Sequence, residues 1–302
     1  NWRGNCSKDR MNIGMNKKLI KKMFNTSKLP IIDFSLEDVS QKAQKSAGKL
    51  SISGVQPKLS MKLDKKNNSL ISVAEGGEYI LKPQTAAFPN IPENEQCCMD
   101  IAAELKIAVP PHCLLPLKDG SWAYIVKRFD RESGVKIHQE EFFQILESGN
   151  KYQGSVEQIG RKLKEISTAP GYDAQLFFER VVFNFIIGNG DAHLKNYSIA
   201  YKDKETIRLT PAYDIVCSKL VIPDEEDSAL SINAKKNELK RDDFDKLAEY
   251  LNIPVRIRYE KFEKSLILME TIIKNSKIKK EIQERFINII KERLSRMNIA
   301  AE

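Results

Sequence analysis

The periodicity of this chain changes once, near residue 130, and that change limits what it can fold into. From Ser51 onward apolar residues recur at every second position. "PKLSMKLD" alternates strictly, with Leu59, Met61 and Leu63 on one face and Lys58, Ser60 and Lys62 on the other, the pattern of a half-buried strand. "SLISVA" and "EYILKP" predict two more strands about a turn at Gly76–Gly77. "HCLLPL" and "WAYIVKRF" predict a further pair about a turn at Asp119–Gly120. One helix interrupts them, "PENEQCCMDIAAELKI", with Pro92 in its first turn, where a missing N–H costs nothing.

After Asp130 the spacing is helical. "HQEEFFQILES", "SVEQIGRKLKEIST", "DAQLFFERVVFNFIIGN", "KRDDFDKLAEYLN", "RIRYEKFEKSLILMETIIK" and "KKEIQERFINIIKERLSRM" are each expected to form a helix. Leu176, Phe177, Val181, Phe185 and Ile186 make the third of these too apolar for a surface helix, so it belongs in the core. An antiparallel sheet followed by helices predicts an α+β architecture: a β-rich first lobe over 51–130 and a helical second lobe over 131–302. The crease between them is the natural ligand site. Residues 1–50 read as an extension with short helices. One of these has Ser35 as N-cap and Asp38 in the capping-box position.

Composition excludes several classes. With 302 residues, 30% charged and 41% hydrophobic, the chain reads as globular with room for a sizeable core. It has no apolar run near the ~18–20 residues of a membrane span, and the amino end has basic residues but no secretory h-region. The five cysteines, Cys6, Cys97, Cys98, Cys113 and Cys217, form no C-x-x-C pair and read as free thiols in a reducing compartment. His112, His138 and His193 stand at no zinc-ligand spacing. A net charge of +8 favours a polyanionic partner without choosing one, and the lysine-rich stretches read best as solvated helix faces.

The chemistry is concentrated in "GNGDAHLKN", at the end of the apolar helix. Asp191 and Asn196 are five apart, the spacing at which a protein-kinase catalytic loop pairs its aspartate with a metal-holding asparagine. Downstream, Asp214 in "LTPAYDIV" stands where a second metal-binding acid belongs, although a helix N-cap is the plain alternative. Upstream, Lys82 interrupts the apolar strand "YILKP", where a lysine is costly without an anion. Glu95, on the next helix, fits the acid that pairs with it. Each of these has a structural reading as an edge or surface residue. Their order, strand lysine, helix glutamate, catalytic Asp/Asn and metal Asp, points to phosphoryl transfer from ATP with Mg²⁺. Two features depart from ordinary protein kinases. No G-x-G-x-x-G precedes Lys82, where "SISGVQPKLS" offers only Gly54. In addition, His193 gives a D-x-H-x-x-N form like that of phosphoinositide kinases.

Taken with "SISGVQPK", Asn94–Glu95, "VKRFDR" and "HQEEF", these motifs resemble the HipA-like serine/threonine kinases of bacterial toxin–antitoxin systems, over about Ser51 to Ile253. Only about 50 residues precede the serine-rich loop, which makes the chain look like the short HipT-type branch. In that branch the missing subdomain exists as a separate small protein. The resemblance implies a two-lobed protein-kinase-like fold with Asp191 as catalytic aspartate, Lys82 on the ATP phosphates paired by Glu95, and Asn196 and Asp214 on Mg²⁺. It places Val126 to Asp130 at a hinge beside adenine, with Phe129 against the ring. Lys127 there replaces a common acidic residue. Gly54 falls in the nucleotide loop, and Ser51 and Ser53 would be autophosphorylation sites. The implied partners are a small antitoxin resembling the missing subdomain and a DNA-binding antitoxin, so that DNA is met only indirectly and no membrane is involved. The implied substrate is an aminoacyl-tRNA synthetase, phosphorylated so that translation stops. The implied setting is the bacterial cytoplasm, with export into another cell left open. "SINAKKNEL", Ser231 to Leu239, also recurs in the family, without an assigned mechanism. Two other readings remain: a lipid or small-molecule kinase sharing the D-x-H-x-x-N loop, and a non-catalytic kinase-like binding module.

Overall fold

The computed structural model describes residues 17–46, 56–132, 134–203 and 205–300. Ser51, Ser53, Gly54 and Cys6 lie outside them. Two short helices come first, α1 (Lys17–Phe24) and α2 (Leu36–Ser46). Ser35 caps α2 as its sequence predicts: its Oγ and N–H both donate to Asp38 Oδ2 at 2.8 Å, and the Asp38 N–H donates back to Ser35 Oγ at 3.2 Å. Five strands follow, β1 (Leu59–Asp64), β2 (Ser69–Ser72), β3 (Tyr79–Pro83), β4 (His112–Pro116) and β5 (Trp122–Lys127), with α3 (Ile91–Glu104) between β3 and β4. They form one antiparallel sheet in the order β2-β1-β3-β5-β4.

Alternation decides which side chain meets which layer. On β5, Ala123 and Ile125 join Leu59, Met61 and Leu81 in a core closed by Met23, Phe24, Ile32 and Phe34 of the amino-terminal segment. Tyr124 and Val126 point the other way, into the core shared with α3 and the helical lobe. Residues 17–46 therefore supply one cover of the sheet, and α3 supplies the other. Lys82 pairs in register with Tyr124, on the α3 side.

Beyond Asp130 lie a two-stranded ribbon, β6 (Arg131–Glu132) with β7 (Val135–Lys136), then β8 (His138–Glu141) and α4 (Phe142–Ile145). The helix expected over "HQEEFFQILES" is thus confined to its second half. The first half pairs with β9 (Ser198–Tyr201), Glu141 opposite Ser198 and His138 opposite Tyr201, in a sheet completed by β10 (Ile207–Leu209). Pairing with a strand about 60 residues away overrides the local helical spacing. Next come α5 (Val156–Ile166), whose N-cap Ser155 exchanges hydrogen bonds with Gln158, and α6 (Pro170–Ile186), the expected core helix, with Phe177, Phe178, Val182 and Phe183 fully buried. The last helices are α7 (Arg241–Tyr250), α8 (Leu266–Asn275) and α9 (Lys280–Arg296). The expected helix over "RIRYEKFEKSLILMETIIK" begins only at Leu266. Arg258 and Tyr259 are drawn to Asp245 at 3.3 and 3.0 Å, and Lys264 turns the chain at positive φ. Among the described residues no helix is long and apolar enough to cross a membrane.

Candidate active site

A cavity of about 1300 Å³ opens in the crease. Lys82, Glu95, Asp191, Asn196 and Asp214 all line it, as do Val126 and Phe129. Residues scattered over more than 130 positions of sequence are thus brought to one chamber.

At its floor the Lys82 ammonium, 4% exposed, donates to Glu95 Oε1 at 2.6 Å and to Asp214 Oδ1. Burial opposes the lysine's charge, but Asp214 and then Glu95 outweigh it and raise the group above its usual range. Burial likewise opposes the Asp214 carboxylate, and Lys82 followed by Lys58 holds it well below the ordinary range. Lys58 Nζ reaches Asp214 Oδ2 at 3.2 Å. Asp214 itself has φ 53, in the left-handed region that an aspartate tolerates better than most residues. The backbone is bent there so that the carboxylate faces the lysine.

The catalytic-type loop is anchored from below. Helix α6 is capped at Ile187, and Gly188 turns the chain at φ 71. A Cβ there would meet Ile289 Cγ2 at 2.9 Å. Asn189 N–H donates to Asn184 O at 2.8 Å, and Asn189 Nδ2 donates to Asn184 Oδ1 at 3.0 Å. Gly190 N–H donates to Ser218 Oγ at 2.8 Å, and Ser218 Oγ in turn donates to Glu225 Oε2 at 2.5 Å. Within the loop the His193 N–H is shared between Asp191 O at 2.8 Å and Asn196 Oδ1 at 3.0 Å, which closes the Asp-to-Asn segment into a tight turn. Tyr152 donates its hydroxyl to Asp191 Oδ1 at 2.9 Å. Burial first, and then this bond, push the phenol up to about 12.

The residues expected at a hinge, Val126 to Asp130, also line the cavity. Phe129 packs on Tyr213 with ring centroids 5.5 Å apart. Tyr213 donates to Lys195 O at 3.0 Å, so the ring pair is tied to the loop that carries Asp191. Lys127 Nζ is turned to Lys22 O at 3.4 Å.

Other residues of the site show less of their role in the sequence. Lys58, which closes "SISGVQPK", precedes β1, and its side chain reaches the cavity. Tyr152, Glu225 and Lys151 carry no local motif. Asn94 bonds both backbone groups of Cys217, three residues after Asp214. "SINAKKNEL" is largely structural: Ser231 bridges to Ser155, and Asn233 and Lys235 bond Asp243 at 2.7 and 3.0 Å. Only its Lys236 reaches the cavity. Cys97, Cys98, Cys113 and Cys217 are free and buried, and burial raises each thiol.

The oxygens of Asp214 are paired with Lys82 and Lys58, and Asn196 Oδ1 accepts the His193 N–H. Asp214 and Asn196 offer hard oxygens, and among the described residues no cluster of three or more His, Cys, Asp or Glu side chains forms. A divalent ion here would draw most of its shell from phosphate and water. That suits Mg²⁺, which is commonly bound by one or two protein oxygens plus substrate phosphates. The buried Glu95 Oε2 has no hydrogen-bond partner, which leaves an acceptor at the same floor.

The family model for the HipA-like C-terminal domain matches residues 50–288. The chain belongs to that family. Among curated relatives, the putative kinase Y4dM of Sinorhizobium fredii is 37% identical over 218 residues, covering 66% of this chain and 53% of that protein. A putative kinase of Haemophilus influenzae is 32% identical over 202 residues, 62% of this chain and 58% of that one. The chain spans about half the length of the curated relatives it matches. Among solved structures, HipA of Shewanella oneidensis, determined with HipB and operator DNA, superposes with a TM-score of 0.71 at 19% identity, over 89% of this chain and 72% of that one. The Helicobacter pylori proinflammatory kinase CtkA gives 0.58 at 17% identity, over 90% of this chain and 97% of that one. At these identities the likeness is one of fold: the two-lobed, kinase-like α+β architecture expected of the family.

Proposed function

We propose that this chain is a Mg-ATP-dependent serine/threonine protein kinase, acting as the toxin of a HipA-like toxin–antitoxin system of the short HipT-type branch. The observation that carries the reading is the Lys82 ammonium held between Glu95 and Asp214 in the chamber that also holds Asp191 and Asn196. Lys82 binds the α- and β-phosphates, and Glu95 fixes its position. Asn196 and Asp214 hold Mg²⁺, which when bound neutralises phosphate charge. Asp191, oriented by Tyr152, accepts the proton of the attacking hydroxyl. Val126 and the Phe129–Tyr213 pair wall the adenine end. Lys82, Asp191, Asn196 and Asp214, four groups that a purely binding role does not require, converge on one cavity and favour catalysis.

The organisation follows the two lobes, 51–130 with the serine-rich nucleotide loop and 131–302, with residues 1–50 as an extension whose described part packs on the first lobe's sheet. Gly54 belongs to the nucleotide loop, and Ser51 and Ser53 are autophosphorylation sites. A phosphate there adds about −1.5 to −2 charges beside the ATP site and silences it by repulsion. The partners are a small antitoxin resembling the subdomain absent from the short branch and a DNA-binding antitoxin. A HipB partner in the Shewanella complex supports the second of these. The substrate is an aminoacyl-tRNA synthetase, modified in the bacterial cytoplasm. Intact-mass spectrometry with peptide mapping, before and after Mg-ATP, tests the core of this reading. Phosphate on Ser51 or Ser53 of the wild type, absent from Asp191→Ala, supports it. No phosphate from a chain that binds ATP would shift the reading to a lipid or small-molecule kinase, and no ATP binding would shift it to a binding module.

A further inference from the structure

During phosphoryl transfer negative charge spreads over the equatorial oxygens of the transferred group, and stabilising it is most of the catalytic task. The catalytic loop of this chain supplies little for that purpose. His193, two residues after Asp191, is buried among the loop's own bonds, its N–H taken up by Asp191 O and Asn196 Oδ1. The Lys195 ammonium also lines the cavity, 4.5 Å from the Phe143 ring centroid, and its charge acts on the Glu141 carboxylate. Lys82 is already shared by two carboxylates.

A cation arrives instead from the connection between α4 and α5. Lys151 lines the same cavity as Asp191. Its carbonyl accepts the Leu194 N–H at 3.1 Å, so its backbone is fastened to the catalytic loop. Its ammonium stands 4.7 Å from the centroid of the Tyr152 ring. That ring meets His193 edge-on at 5.4 Å and gives its hydroxyl to Asp191. Among the described residues no carboxylate lies within ion-pair distance of Lys151, so its charge is unmatched by the protein.

We propose that Lys151 is a further catalytic residue, whose ammonium contacts the phosphoryl group in transfer, and that Tyr152 is the positioning residue that holds Lys151 and Asp191 as one unit. This rests on the phosphotransfer reading of the site. In the step, the acceptor oxygen forms a bond to the γ-phosphorus and the bond from that phosphorus to the β-phosphate oxygen breaks. ADP leaves with the electron pair, and the acceptor's proton passes to Asp191. Lys151 exchanges no proton and supplies charge alone.

The test is a pair of affinities measured with Mg²⁺: a non-hydrolysable ATP analogue and ADP, on wild type, Lys151→Met, Lys151→Gln and Lys151→Arg. ADP lacks the group that Lys151 touches. The wild type prefers the analogue. Both neutral variants reduce that preference about ten-fold with ADP affinity unchanged, the scale of one lost charge-assisted contact, while Lys151→Arg retains most of it. Phosphate transfer falls by about 10²-fold or more in the neutral variants, since such contacts strengthen in the transition state. Tyr152→Phe keeps the ring under Lys151 and so keeps the preference, but slows transfer. A neutral variant that binds ADP normally and keeps the wild-type preference overturns the role of Lys151. A wild type that binds neither nucleotide overturns the phosphotransfer reading itself.

Discussion

Truncating Asn94 should uncouple Glu95 from Asp214 at the floor of the cavity. Asn94 precedes Glu95 on α3. Its Nδ2 donates to Cys217 O at 3.0 Å, and its Oδ1 accepts the Cys217 N–H at 2.8 Å. Both residues are buried, at 5% and 0% exposure. A single side chain thus fixes the segment carrying Asp214 against the helix carrying Glu95, across 123 positions of sequence. In Asn94→Ala the Cys217 N–H is left buried without a partner, which costs about 1–3 kcal/mol. The Cys217 carbonyl keeps the Leu220 N–H at 3.3 Å, so its loss is limited to one net bond, ~1 kcal/mol. The sum is roughly 2–4 kcal/mol, readable as a shift in the urea midpoint at constant m-value. Phosphate transfer should fall further than stability implies, because a displacement of ~1 Å at Asp214 can cost ~100-fold. Asn94→Asp is a sharper probe. It keeps the acceptor for the Cys217 N–H but aims its second oxygen at the Cys217 carbonyl. Burial raises the folded-state pKa of the new carboxyl. The destabilisation is therefore full at neutral pH and shrinks as pH falls toward ~4, where the protonated acid can donate like the amide it replaces. A loss below ~1 kcal/mol in Asn94→Ala with unchanged transfer rates would refute the coupling.

Lys82→Met should abolish nucleotide binding while leaving Glu95 and Asp214 facing each other. Isothermal titration with ATP should show no heat, and retained binding would remove Lys82 from the phosphate site. Gly190→Ala places a Cβ 2.5 Å from both Glu225 Oε2 and the Glu226 carbonyl oxygen. Overpacking of this kind costs about 1–3 kcal/mol, and the variant should lose transfer activity before it loses fold by circular dichroism. The Asp214 carboxyl is depressed in the folded chain, so its stabilising contribution is present above the ordinary aspartate value of ~3.9 and is lost as pH falls through the lower folded value. The stability advantage of wild type over Asp214→Asn in urea titrations should accordingly be constant near neutrality and close in acid. An advantage that grows on acidification would contradict the ion pair.

What the sequence made legible follows the range of the interaction that decides each feature. Alternation in "PKLSMKLD" is settled by neighbours on the same strand, so the strand could be read directly, whereas the apolar run "YILKP" showed a strand and left open whether Lys82 faces inward. Ser35 and Ser155 cap helices through partners three residues away, equally local. His138–Glu141 could not be read this way, because its strand state is decided by β9. Nor could the delayed start of α8, because it depends on Asp245. The site divides along the same line. Asp191, Asn196, Asp214, Lys82 and Glu95 sit in recognisable local frames. Lys58 and Asn94 act on partners 156 and 123 residues distant, and Tyr152 on one 39 away. Local motifs include Lys58 and Asn94 but do not show which partners they meet, and nothing in its own neighbourhood marks Tyr152.

The wall that steadies the loop carrying Asp191 is itself held from the far end of the chain. Glu225 carries Ser218, and Ser218 carries the Gly190 N–H. Two residues on, Asp227 is 5% exposed and is clamped by Arg293 and Arg296 of α9. Both guanidinium groups also lie over Phe185, at 4.6 and 5.1 Å, on the last turn of α6. Helix α9 therefore grips both approaches to the loop, the helix before it and the acidic segment beside it. The two arginines are not equivalent. Arg293 is 3% exposed, whereas the Arg296 side chain keeps 22% of its surface in solvent. Removing the shared acid in Asp227→Ala strands a buried guanidinium, which costs about 3–5 kcal/mol. Arg296→Met leaves Asp227 paired with Arg293 and should cost only ~1 kcal/mol. Urea unfolding should rank the two variants in that order, and hydrogen exchange at Gly190 should accelerate in Asp227→Ala alone. Equal losses in the two variants, or an unchanged Gly190 amide, would mean that α9 supports the lobe without reaching the loop.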